Sequence, residues 1–81
     1  MHINALANTR SGWLTLGLHE DLGEAYLAAL NAMLDLMRLR YDLHRKEALM
    51  LASLVVDMRI TQTANGVQGV HAVLPHGSLQ A

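Results

Sequence analysis

Asp57-Met58-Arg59-Ile60-Thr61-Gln62-Thr63-Ala64-Asn65-Gly66-Val67-Gln68-Gly69-Val70-His71-Ala72-Val73-Leu74-Pro75 is the stretch that decides the fold. After Asp57 it alternates, with Met58, Ile60 and Gln62 in one phase and Arg59, Thr61 and Thr63 in the other, which is the period of a strand. Asn65-Gly66 interrupts it with two residues that tolerate positive φ, the strongest short hairpin signal in the chain. Val67 to Leu74 returns as a second strand, with Gly69 as a bulge or a close-approach point. Pro75, which has no N–H to give to a ladder, ends it.

Upstream of this hairpin the period is helical. Roughly Arg45 to Val56 reads as a helix, with His44 at the N-cap position and Glu47 three residues on. This helix is apolar on most sides and is expected to be buried, or nearly so. Before it, Tyr41-Asp42-Leu43-His44 forms a short connection. A first helix is expected from about Leu22 to Arg40. Leu22, Tyr26, Ala29, Met33 and Met37 supply its stripe, and Leu27, Leu30 and Leu34 widen it. Asp21 with Glu24 resembles a capping box, and Arg38 and Arg40 suit the negative end of the helix dipole. Trp13-Leu14-Thr15-Leu16-Gly17-Leu18 has the length and content of a short buried strand. Residues 1–12 read as a loose arm and residues 76–81 as a tail. The sum is one domain over residues 1–81, α+β in the order β-α-α-β-β, with two helices packed on one face of a small sheet.

Composition narrows the classes of partner. The chain has 81 residues, is 52% hydrophobic and only 4% aromatic. A domain this small has too much surface to hide so many apolar side chains. A homo-oligomer is therefore expected, or a piece that packs on a larger body. The sheet's two open edges point the same way. The formal charge of −1 gives no electrostatic case for nucleic acid or an anionic membrane. Without cysteine there is neither a disulfide framework nor a thiol ligand. The first ten residues lack the basic and apolar regions of a signal peptide, and no apolar run is long enough to span a bilayer. A cytoplasmic protein is the default expectation.

Several blocks, in order, resemble the C-terminal part of the acetamidase/formamidase family. Thr15-Leu16-Gly17-Leu18 followed by Asp21-Leu22-Gly23-Glu24-Ala25 is similar to that family's strand and its D-L-x-x-A helix opening. Arg45-Lys46-Glu47-Ala48-Leu49 with Leu51-Ala52-Ser53 resembles its EA…LLS helix. Asp57-Met58-Arg59-Ile60-Thr61-Gln62 resembles a D-L/F-R-I/V-T-Q strand, and Asn65-Gly66-Val67 with Gly69 to Pro75 resembles the closing N-G-V…G-V-H-A-x-L/I-P. The resemblance covers residues 15–75. It implies a homologue or remnant of the C-terminal domain of an amidase acting on short linear amides such as formamide and acetamide. The family's M-G-D-G-E region and the large β-rich body around its active site are not in these residues. The expectation is therefore a self-associating domain that is not catalytic alone. The alternatives are one subunit of a two-part amidase, whose separate chain carries the missing body, or a self-association module with a new role.

Amide hydrolysis needs a nucleophile or metal-bound water, a proton shuttle and oxyanion donors. Asp57, Arg59 and Thr61 share one strand phase, with Gln62 and Asn65 close by and His71 on the returning strand. Together they form a polar wall that could reach a neighbouring active site. The plainer reading is an ion pair, turn-stabilising bonds and a strand histidine held for packing. Ser53 reads as a helix residue bonding back to a carbonyl, and Ser11 and Ser78 as weak nucleophiles. His2, His19, His44, His71 and His76 show no metal-ligand spacing, so neither metal nor cofactor is expected. Met33, Met37, Met50 and Met58 read as core. Arg38, Arg40, His44, Arg45 and Lys46 flank an inter-helix turn, but the following helix lacks the polar face of a DNA-recognition helix.

Overall fold

The computed structural model describes residues 3–62 and 66–77. The elements run β1 (Ile3–Asn8), β2 (Gly12–His19), α1 (Leu22–Tyr41), α2 (Arg45–Val55), β3 (Asp57–Gln62) and β4 (Gln68–Pro75). The α+β class and the order from β2 onward are as expected. One further strand precedes them: the residues read as an arm contain β1, antiparallel to β2 in a register from Ile3 opposite Leu18 to Asn8 opposite Trp13. Thr9 and Gly12 exchange two backbone bonds across the tip (2.9 and 3.3 Å), closing a tight hairpin. Gly12 has φ 145°, and a Cβ there would sit 2.1 Å from the Leu74 carbonyl oxygen, so only glycine fits.

The sheet is antiparallel throughout, in the order β1-β2-β4-β3. β2 and β4 are therefore central, and β1 and β3 form the edges. Pairing through Gly69 is uninterrupted on both sides, opposite Leu18 and opposite Thr61. Gly69 is thus not a bulge. The five residues between β3 and β4 include 63–65, so Asn65 lies outside the described residues.

Both helices lie on one face. Val70, Ala72 and Leu74 of β4 point to that side and are fully buried with Ala25, Ala29, Met33, Leu34 and Met37 of α1. α1 opens as its cap predicts: the Asp21 carboxylate accepts from the Glu24 N–H at 3.1 Å. The reciprocal half of the box is replaced, because the Asp21 N–H donates to His19 Nδ1 at 2.9 Å. The helix ends at Asp42, whose φ of 54° is left-handed.

Two burial expectations change. At the start of α1 the stripe turns toward Ala25, leaving Leu22, Tyr26 and Leu27 exposed. The reason is Gly17: a Cβ there would lie 2.2 Å from the Ala25 carbonyl oxygen, so helix and strand touch backbone to backbone. Such an approach needs alanine, not leucine, in the contact. α2 differs more. It buries only Ala48 and Ala52, and leaves Leu49, Met50 and Leu54 at 51%, 65% and 76% exposure. The expectation that this helix is buried, and that Met50 belongs to the core, does not hold for the single chain. Its other expected methionines do pack: Met33 and Met37 are buried, and Met58 lies against the core.

Candidate functional site

Alternation along paired strands sorts the polar wall. β3 sets Asp57, Arg59 and Thr61 on the face turned away from the helices, with Met58 and Ile60 in the opposite phase. On β4 the same outward phase holds Gly69, His71 and Val73, between the buried Val70, Ala72 and Leu74. Four of the six expected site residues therefore share one face. Gln62 pairs with Gln68 in the ladder. Its side chain, like Asn65, lies outside the described residues.

Within the wall the residues form two pairs. Arg59 Nε donates to the Asp57 carboxylate at 2.7 Å, and both side chains are more than half exposed. An exposed pair like this contributes little stability. Thr61 Oγ1 and His71 Nδ1 are 2.6 Å apart, half-buried, so one proton is shared between a hydroxyl and an imidazole nitrogen. The contact runs diagonally because Gly69, directly opposite Thr61, has no side chain.

A hydroxyl bonded to an imidazole is the first step of a nucleophile arrangement. One further part is missing among the described residues. Asp57, the nearest carboxylate on the strand, is bonded to Arg59 and not to His71. β4 is paired on both edges, so its N–H groups are committed to ladders, whereas β3, which carries Thr61, keeps an open edge.

The other candidates are dispersed. Ser53 Oγ donates to the Met50 carbonyl at 2.6 Å, the back-bond expected of a helical serine. His19 accepts from Asp21, His44 begins α2, and His76 Nε2 lies 2.7 Å from the Thr9 carbonyl. Among the described residues no three His, Cys, Asp or Glu side chains gather as a metal site would need. The basic cluster is divided as well. Arg40 lies over the Trp13 ring at 4.8 Å, Arg45 Nη2 donates to Asn31 at 2.8 Å, and Arg38 is 4.0 Å from Asp35.

Sequence reasoning missed two features. Thr15, fully buried on the helix side of β2, donates to the Ala29 carbonyl at 2.8 Å. A threonine in an otherwise apolar inward phase was the available signal. The second is an apolar groove of about 380 Å3 between the helices and β3, lined by Tyr26, Leu30, Leu49, Ala52, Ser53, Val56 and Met58. It exists because α2 rests on alanines and its leucines stand clear.

The fold and the wall together define an α+β sandwich: two helices on one side of a four-stranded antiparallel sheet, and a second side, uncovered among the described residues, carrying a Thr–His pair. No described helix is long and apolar enough to cross a membrane. Compared with protein-family models, curated proteins and solved structures, the chain matches none.

Proposed function

We propose that these residues form a homologue of the C-terminal domain of an acetamidase/formamidase-type amidase, self-associating and not catalytic by themselves. The observation that carries it is apolar side chain left in contact with water on both sides of the sheet: Leu27, Leu49, Met50, Leu54 and Ile60 on the helix side, and the half-buried Leu14, Leu16 and Leu18 on the other. Contiguous surfaces of this kind mark interfaces. The ancestry is supported by the order of the resembling blocks, which fall within β2, the opening of α1, α2, β3 and β4. Catalytic incompleteness is supported by a Thr61–His71 pair whose nearest strand carboxylate, Asp57, is bonded to Arg59 and not to His71.

Two measurements test this reading. Purified chain incubated with formamide or acetamide is expected to release ammonia at the uncatalysed rate, and turnover well above it would end the inactivity claim. Sedimentation at micromolar concentration is expected to give an oligomer; a clean monomer would count against self-association.

One observation favours a second reading, a subunit of a two-part amidase. The Thr61–His71 pair faces outward, where another chain could supply what it lacks. In that case, mixing with a chain that carries the amidase body produces activity, and Thr61→Val and His71→Ala each lower it. Activity indifferent to both substitutions would exclude this role for the pair.

A further inference from the structure

The helices cover one side of the sheet, and among the described residues nothing covers the other. That outer face has an ordered relief. Leu14, Leu16 and Leu18 form a column on β2, and Gly69, His71 and Val73 form the next column on β4. Asp57, Arg59 and Thr61 border them on β3. The leucines and Val73 are half-buried by their own neighbours yet still reach solvent. An apolar centre with a polar margin is the usual anatomy of a protein interface.

We propose that this face is where two copies of the chain pair, sheet against sheet about a two-fold axis running along the strands. The inference rests on the self-association just proposed and adds which surface does it and in what arrangement.

Four observations select a second copy as the occupant. The first is shape. The centre line of the order β1-β2-β4-β3 falls between β2 and β4. A two-fold on that line lays each leucine column over the partner's β4, so a ridge meets a column lowered at Gly69, while β1 meets the partner's β3. The second is charge. Among the described residues the charged side chains on the face are Asp57 and Arg59, which already neutralise each other, so covering them strands no lone charge. Copies carrying a formal charge of −1 also repel weakly.

The third is area. With strands about 4.8 Å apart and a rise of about 3.3 Å per residue, the face projects on the order of 450 Å2 per copy. The pair would therefore bury roughly 900 Å2, close to the lower limit for a specific interface. The fourth is closure. A sheet face binding the exposed side of α2 on another copy would be head-to-tail and could propagate without end, whereas like-to-like pairing closes at two. Sheets stacked this way lie about 10 Å apart.

The test compares the wild type with Leu16→Lys and the milder, strand-compatible Leu16→Thr on the outer face, and with Leu54→Lys on α2. Sedimentation velocity reads the oligomeric state, and circular dichroism confirms that each variant is folded. Dimers are expected for the wild type and Leu54→Lys, with association weakened about tenfold or more by either Leu16 change. A monomeric wild type overturns both this inference and the self-association reading. A dimer that survives both Leu16 changes overturns the face alone, whatever Leu54→Lys does. The arrangement has its own readout, because the chain has no cysteine. Leu16→Cys chains mixed with His71→Cys chains are expected to be bridged to each other by a short bismaleimide. Bridging at Leu54→Cys in place of that product would overturn the sheet-to-sheet geometry.

Discussion

At the scale of single residues, the tightest constraint is Gly17. The Cβ it lacks would collide with the backbone of α1 at Ala25 and Ala29, at 2.2 and 2.6 Å. Gly17→Ala must push helix from sheet and is expected to cost roughly 1–3 kcal/mol in urea unfolding, the range for overpacked cores. Thr15 makes the opposite kind of contact, filling its site and satisfying its hydroxyl on the Ala29 carbonyl. Thr15→Val keeps the shape and removes the bond, so a loss of about 1 kcal/mol is expected in the same measurement. Trp13 is flanked by the Arg40 guanidinium and, edge-on, by the His76 ring 6.2 Å away. Arg40→Ala should cost about 0.5–1 kcal/mol. It should also shift the Trp13 emission to the red as water reaches the indole. An unchanged spectrum would mean the guanidinium does not shield the ring. The Asp21 cap and the Arg38 and Arg40 positions were legible in the sequence, because a cap and a dipole act within one turn. The Gly17 and Thr15 contacts were not, because each needs the distance between a strand and a helix whose approach no local pattern encodes.

Among the elements, β1 and α2 teach the most. Ile3-Asn4-Ala5-Leu6-Ala7-Asn8 has two asparagines and two alanines, and little of the β-branched or aromatic content that marks a strand. It pairs because β2 offers an edge and the Thr9–Gly12 turn returns the chain to it. α2 errs the other way. Its apolar residues point in every direction, which reads as burial, yet only the Ala48 and Ala52 side meets the rest of the fold. Its outer leucines are therefore not part of the single chain's stability. Leu54→Gln is expected to leave the urea unfolding free energy within about 0.5 kcal/mol of wild type. A larger loss would place Leu54 in a contact that the isolated chain does not make. α1, by contrast, begins and ends within a residue of its expected limits, since a cap, a 3.6-residue stripe and a left-handed stop agree over its 20 residues.

For the whole molecule, the deciding quantity is apolar surface in excess of what 81 residues can enclose. If pairing covers part of it, stability must depend on concentration, because a partner that binds only the folded chain shifts the unfolding equilibrium. The thermal midpoint is expected to rise with protein concentration for wild type and to stay flat for Leu16→Lys. A flat wild-type response would leave the excess surface uncovered. The amino-acid sequence by itself determined the α+β class, the helix limits, the β3–β4 pair and the presence of that excess, since each follows from local periodicity, capping or composition. Only the tertiary structure decided that β2 and β4 lie side by side at the centre and that α2 rests on alanines. It also placed Thr61 and His71 in hydrogen-bond contact beside a bare leucine column. Those outcomes depend on which strands pair and which faces meet, and such choices are made between segments far apart in the chain.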